Sequence, residues 1–263
     1  FCFRLLFIFF SFCIFSFYNF FSKKIHRHLH YKNNFPMKKI HFEFKLLTFS
    51  CFLFIASTGI AMLFFPGGTI MDHNTNGYSF FNNFFSELGR WRTLKGEPNW
   101  ISFFGFEIAL IFQSVTMFFF NRKLLNITNS KQLNPFLYYT ALITGSIFPF
   151  LLTGIALTPC DLYLPFHMDF VYAAFSTLVP LSFAYTLLIR QHHLLPNKYG
   201  NAMMIIVFAI TIYLFIMLYG PDPHKVGYVQ QTAQKVIVYS MIFCLLYLSS
   251  GCIKYLTKES LEN

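Results

Sequence analysis

Three aspartates and three histidines recur in one local order along this chain, each pair behind a proline. Pro66 is followed by Asp72 and His73, Pro159 by Asp161 and His167, and Pro221 by Asp222 and His224. Carboxylate oxygen and neutral imidazole nitrogen are ligands for zinc and other divalent ions, and His–Asp pairs also serve general acid–base chemistry. If the segments carrying them end on one side of a bundle, up to three of each type converge there. The plainer reading is that prolines stop helices and polar residues decorate any aqueous loop. Asp161 and His167 flank a short apolar stretch at 162–166 and are the candidate acid–base or metal pair. The pattern is permissive, so it specifies no metal and no other cofactor.

A second constellation is Ser86, Glu87, Arg90 and Arg92. No GxSxG elbow surrounds Ser86, which argues against a hydrolase nucleophile. Arginine pairing with phosphate or carboxylate fits Arg90 and Arg92 better and makes them candidate clamps for an anionic headgroup. Glu107 stands alone in an apolar run, roughly 10 Å inside it at about 1.5 Å per helical residue. A carboxylate at that depth must be protonated, paired or facing a polar cavity, and Lys235 is its candidate partner. His224 and Lys235 complete the candidate ligand set, with Gln230, Gln231 and Gln234 beside them. Asp169 is a further ionisable residue expected to face protein or water. The six cysteines (Cys2, Cys13, Cys51, Cys160, Cys244 and Cys252) form no CxxC pair, which argues against a disulfide framework or zinc knuckle.

The elements that must position these residues are membrane helices. The chain is 56% hydrophobic and only 11% charged, with 39 phenylalanines and a mean hydropathy of +0.52; soluble domains carry about a quarter charged residues. Six apolar runs, at 45–65, 101–120, 136–158, 168–189, 201–218 and 236–253, are each near the ~20 residues that cross a bilayer as helix. Backbone polar groups find no water in hydrocarbon, so these runs form helices. The expected fold is an all-α polytopic membrane bundle with six core transmembrane helices. Residues 1–36 differ from the rest, beginning on Phe1 and carrying five Lys/Arg with no acid before Met37. Met37 reads as the start of translation, which makes residues 1–36 an over-extended upstream reading; the alternative is a seventh helix at about 5–21. Residues 37–263 form the six-helix domain.

Basic residues orient the bundle. One set of loops holds Lys38, Lys39, Lys45, Arg122, Lys123, Lys131, Arg190, Lys198, Lys254 and Lys258, and the other holds Arg90, Arg92, Lys95, Lys225 and Lys235. The richer set belongs in the cytoplasm, which places both ends of the core there and the Asp/His loops outside. The basic residues lie between apolar runs rather than in a stripe, so nucleic acid is not an expected partner and membrane lipids are. Asn126 opens an N-x-T match on the cytoplasmic side and is not a glycosylation site. In the first outward loop, Ser79 to Gly89 reads as a short amphipathic helix. Phe80, Phe81, Phe84, Phe85 and Leu88 share its apolar face, and Asn82, Asn83, Ser86 and Glu87 share the other. Trp91 and Trp100 read as interfacial anchors.

A first helix closing on Phe65-Pro66-Gly67, then Phe85-Ser86-Glu87-Leu88-Gly89, then Trp100 opening the next helix, resembles a six-helix membrane family catalogued as domain of unknown function 998, related to the Frag1/DRAM/Sfk1 membrane proteins. Gly154-Ile155-Ala156 before Pro159 and Asp161, His167 at the fourth helix, and Gly227-Tyr228-Val229-Gln230 before the sixth carry the same resemblance over about residues 45–253. It implies a six-helix membrane protein without an assigned reaction, and its eukaryotic relatives act around lipid remodelling. The leading expectation is a plasma-membrane protein that binds or modifies a lipid or lipid-linked headgroup at its extracytoplasmic face. A small transporter or channel component, or a structural subunit of a larger complex, is the alternative.

Overall fold

A computed structural model of the protein describes residues 42–192 and 195–262, with side chains described to residue 257. The doubtful segment 1–36 and its alternative helix at 5–21 lie outside the described residues. Within them the fold is all-α, with six helices long and apolar enough to cross a membrane. They are α1 (Phe42–Phe64), α2 (Trp100–Ile127), α4 (Pro135–Leu157), α5 (Leu164–Gln191), α6 (Asn197–Tyr219) and α7 (Val229–Glu262); α3 (Ser130–Leu133) is one short turn between α2 and α4.

The six long helices pack as a ring in the order α1, α2, α4, α5, α6, α7, with α7 returning to α1. Hydroxyl and amide side chains tie neighbours together, as apolar helices in lipid require. Ser102 Oγ donates to Ala61 O at 2.6 Å and Ser57 Oγ to Gly105 O at 2.8 Å, joining α1 to α2. Tyr185 Oη donates to Asn121 Oδ1 at 2.6 Å while Asn121 Nδ2 donates to Ala141 O at 3.2 Å, knotting α2, α4 and α5. A Cβ at Gly145 would occupy the space of the Asn121 amide, so the knot needs a glycine there. Ser249 Oγ donates to Phe44 O at 2.6 Å and closes the ring between α7 and α1. Outward-facing Phe52, Leu63, Phe150 and Phe208 are exposed; so large an apolar surface needs lipid around it.

Two helices start earlier than their apolar runs suggest. α5 begins at Leu164, with proline in its first turn, so His167 lies inside the helix rather than before it. α7 begins at Val229, two turns ahead of the run at 236–253, and carries Gln230, Gln231, Gln234 and Lys235 as helical residues. Hydropathy cannot see those two turns because they carry polar side chains, of which Gln234 and Lys235 are buried against the first outward loop rather than against lipid.

Candidate functional site

The first outward loop folds over one end of the ring. The amphipathic helix expected from Ser79 to Gly89 is realised as a single 3-10 turn, Phe85–Gly89. Its expected faces are also redistributed. Phe81 is 61% exposed, whereas Asn83 and Glu87 are 0% and 3% exposed. The reason is backbone bookkeeping: a loop packed on a bundle needs internal partners for its N–H and C=O groups. Asn83 supplies them, accepting Ser79 N at 2.8 Å and donating to Gly68 O at 2.7 Å and Glu87 Oε2 at 2.5 Å. Glu87 Oε2 also accepts Phe84 N at 3.1 Å. Burial pushes the Glu87 carboxyl up to about 7, against the pull of the Asn83 amide, the Arg90 guanidinium, the Phe84 N–H and the Lys235 ammonium.

α7 holds this loop from below. Gln234 Oε1 accepts Phe85 N at 2.7 Å. The Lys235 ammonium, fully buried, donates to Asn83 O and, at 3.1 Å, to Gln231 O. It also lies 5.5 Å from the Tyr78 ring centroid and 5.3 Å from that of Phe80. Lys235 is therefore the anchor of the loop and not the partner of Glu107, as the sequence suggested. Asn83 and Gln234 are the residues that sequence reading undervalued. The available signal was glutamines at positions 231 and 234, one helical turn apart on the face that also carries Lys235.

Beneath the loop, the axis of the ring holds an apolar cavity of ≈ 90 Å³. A water needs about 10–15 Å³ on the same measure, so this is far more than a packing defect. Its walls come from α1, α2, α4, α5 and α7, and Phe85 and Ser86 close its outward end. The Phe85 ring sits 5.8 Å from Phe54, 5.6 Å from Phe106 and 5.5 Å from Tyr239. Gln113 is one of the few polar groups on the wall, and its Oε1 has no hydrogen-bond partner. A smaller apolar pocket that shares Met117, Leu178, Met241 and Leu245 with it extends the space towards Tyr185 and Met203.

Asp161 and His167 do not form a pair. Asp161 accepts Trp91 N at 3.0 Å and Arg92 N at 2.8 Å, joining the α4–α5 turn to the first outward loop. His167 is buried, and its Nδ1 lies 2.7 Å from Thr158 O. A carbonyl only accepts, so Nδ1 carries the proton and Nε2 presents its lone pair, without a partner. The repeated Pro–Asp–His order is turn chemistry: Asp72 Oδ1 accepts Asn74 N and Asp222 Oδ1 accepts His224 N, each at 2.9 Å. His73 and His224 are exposed, and no group of three or more His, Cys, Asp or Glu comes together among the described residues. The expected three-fold convergence does not occur.

Of the remaining candidates, Ser86 lines the cavity and Glu107, Arg90 and Arg92 do not. Glu107 is buried on α2 with Oε2 unpartnered, and a Cβ on Gly89 would strike its Oε1. Ser86 O lies 3.8 Å from Cys160 Sγ, which in turn lies 3.8 Å from Arg90 Nη1. Arg90 Nε donates to Arg92 O at 3.1 Å and Arg92 Nη1 to Gly96 O at 3.3 Å. Among the described residues the ion pairs are Lys95–Glu97 and Lys123–Glu43, and Arg90 acts on the Glu87 carboxyl from beyond ion-pair distance. Asp169 is exposed and takes no part in the cavity wall. Trp91 and Trp100 pack edge to face with ring centroids 4.0 Å apart.

The chain is a multi-pass integral membrane protein with a polar-capped apolar cavity on its axis. Comparison with protein-family models, curated proteins and solved structures finds no match.

Proposed function

We propose that this protein binds a membrane lipid, with an apolar chain in the axial cavity and the polar end at the extracytoplasmic mouth. The observation that carries this reading is the cavity itself: an axial space of ≈ 90 Å³ with apolar walls, on which Gln113 Oε1 is unpartnered. Water gains little in such a space, and hydrocarbon gains from every wall it touches. Ser86 closes the outward end; in this reading Glu107, His167, Arg90 and Arg92 supply polar and positive groups on that side, and Asp161, Glu87 and Lys235 hold the loop that shapes it. His224 has no part in it.

Binding is favoured over modification because Asp161 spends both carboxylate oxygens on backbone N–H groups. An ion path is disfavoured, since an ion would meet apolar walls and Asp169 lies off the axis. The reading includes a plasma-membrane location with both ends of the core cytoplasmic, on the distribution of lysine and arginine. It also includes the resemblance to the domain of unknown function 998 family, which rests on the motifs at 85–89 and 154–161.

Native mass spectrometry of the protein released from lipid nanodiscs tests the proposal. One lipid should remain bound per chain, and Ala174→Trp, which fills the cavity from α5, should release it. Leu178→Phe, a smaller intrusion into the same wall, should reduce occupancy while preserving a monodisperse protein. Undiminished lipid retention in both variants would overturn the reading.

A further inference from the structure

Sulfur converges at the end of the axial space away from Phe85. The smaller pocket there, of ≈ 20 Å³, is bordered by Met117 from α2, Met203 from α6, and Met241 and Cys244 from α7. Met117 and Met241 also border the axial cavity, so they stand where the two spaces meet. Met241 and Cys244 are three positions apart on α7 and therefore share one face. Cys244 Sγ donates to Ala202 O at 3.8 Å, which sets the thiol against α6 one residue from Met203. Met117 and Met203 are each only 3% exposed. Three helices thus bring three thioethers and one thiol to a single void.

Packing alone does not account for this arrangement. Methionine is the side chain that fills irregular gaps, being unbranched with three rotatable bonds. Here three methionines surround a gap that stays open. A water needs about 10–15 Å³, so the void has room for one small occupant. Water itself suits the space poorly, since it needs two to four polar partners. The oxygen donors on this wall are the side chains of Ser182 and Tyr185, and the Tyr185 hydroxyl is bound to Asn121.

The donor set selects among ions. No imidazole or carboxylate borders the void among the described residues, whereas zinc sites draw on His and Asp/Glu as well as Cys, and calcium and magnesium take oxygen ligands. Thioether and thiolate sulfur are soft ligands that select copper(I). Charge points the same way. A cation among apolar helices is costly unless an opposite charge accompanies it. One thiolate neutralises a monovalent ion and leaves a divalent ion charged. Binding breaks the S–H bond of Cys244, forms one copper–thiolate and three copper–thioether bonds, and releases the thiol proton. Copper stays in the same oxidation state throughout. The rotatable bonds of methionine let its sulfur close on an ion without displacing a helix.

We propose that Met117, Met203, Met241 and Cys244 form a buried site for one copper(I) ion, held by three thioethers and a thiolate. The ion would tie α6 and α7 to α2, which neither of them adjoins in the ring. This goes beyond the lipid-binding reading and does not depend on it, because Met203 and Cys244 lie off the wall of the axial cavity.

The test is anaerobic titration of the purified full chain in detergent with copper(I) supplied as its acetonitrile complex. Native mass spectrometry should show one copper per chain, and X-ray absorption at the copper edge should show sulfur neighbours alone. Zinc(II) offered in its place should not be retained. Met117→Leu, Met203→Leu and Met241→Leu conserve volume and should stay folded, while each weakens copper binding by about tenfold or more. Cys244→Ala should weaken it by about a hundredfold and remove the proton release. Cys51→Ala, Cys160→Ala and Cys252→Ala should each leave it unchanged. Copper should raise the unfolding temperature of the wild type and not that of Cys244→Ala. A wild-type chain that retains no copper would overturn the proposal, as would nitrogen or oxygen neighbours at the metal. Equal affinity in wild type, Met203→Leu and Cys244→Ala would place the ion elsewhere and overturn it too. Lipid retention should match wild type in Met203→Leu and Cys244→Ala, so the failure of one reading is separable from the failure of the other.

Discussion

Gln234 Oε1 accepts the backbone N–H of Phe85 at 2.7 Å, across 149 positions of sequence. This bond seats the Phe85 ring over the axial cavity and fixes the depth of the whole first outward loop. Phe85→Ala should enlarge the cavity and destabilise the protein by about 3 kcal/mol or more. Gln234→Leu should cost about 1–3 kcal/mol by leaving the Phe85 N–H buried and unpaired. Thermal unfolding in detergent measures both, and unchanged midpoints would mean that the loop is not seated on α7.

Glu87 makes stability depend on pH. Its carboxyl is pushed up from 4.5 to about 7 by burial, so the folded protein takes up a proton that the unfolded chain releases between those values. The stabilisation from the neutral carboxyl is fully present below about 4.5 and is lost as pH rises through about 7. Glu87→Gln is expected to match wild type at pH 4.5 and exceed it at pH 8, by on the order of 3 kcal/mol. Parallel unfolding curves for the two proteins from pH 4.5 to 8 would show that the carboxyl titrates normally.

Asp161 is a brace between loops. Asp161→Ala should leave the Trp91 and Arg92 N–H groups without protein partners and cost about 2 kcal/mol, whereas Asp161→Asn keeps one acceptor and should cost about half as much. An acid–base residue would show the opposite pattern, with stability untouched and activity lost.

Orientation is open to chemical labelling. Burial pushes the Cys160 thiol up to about 12, and Cys51 and Cys252 are buried, so these native thiols should react slowly. An impermeant maleimide applied to intact cells should modify Glu97→Cys, on the first outward loop, and spare Lys131→Cys on α3. Labelling of Lys131→Cys alone would invert the topology.

Much of this architecture was legible in the amino-acid order. Six apolar runs with basic residues between them dictate six helices, because an unpaired backbone cannot enter hydrocarbon whatever its neighbours are. The polar cap was legible only as a set of candidates. Glu107 was identifiable as a residue out of place in an apolar run, and Glu87, Arg90 and His167 as chemistry-bearing groups of the outward loops, but their partners were not. Periodicity put Asn83 and Glu87 on a solvent face, and a recurrent Pro–Asp–His order suggested a metal site. Tertiary structure decided otherwise. Closing the ring buried the loop beneath its own aromatic residues, and buried backbone must be hydrogen-bonded. Asn83, Gln234, Lys235 and Asp161 were drawn into that task by geometry that spans up to 152 positions of sequence. The same closure left Glu107 Oε2 and His167 Nε2 without partners, and Gln113 Oε1 unpartnered on the wall of an apolar space. Sequence order specifies which groups are costly to bury; only the packed ring determines which of them go unpaired.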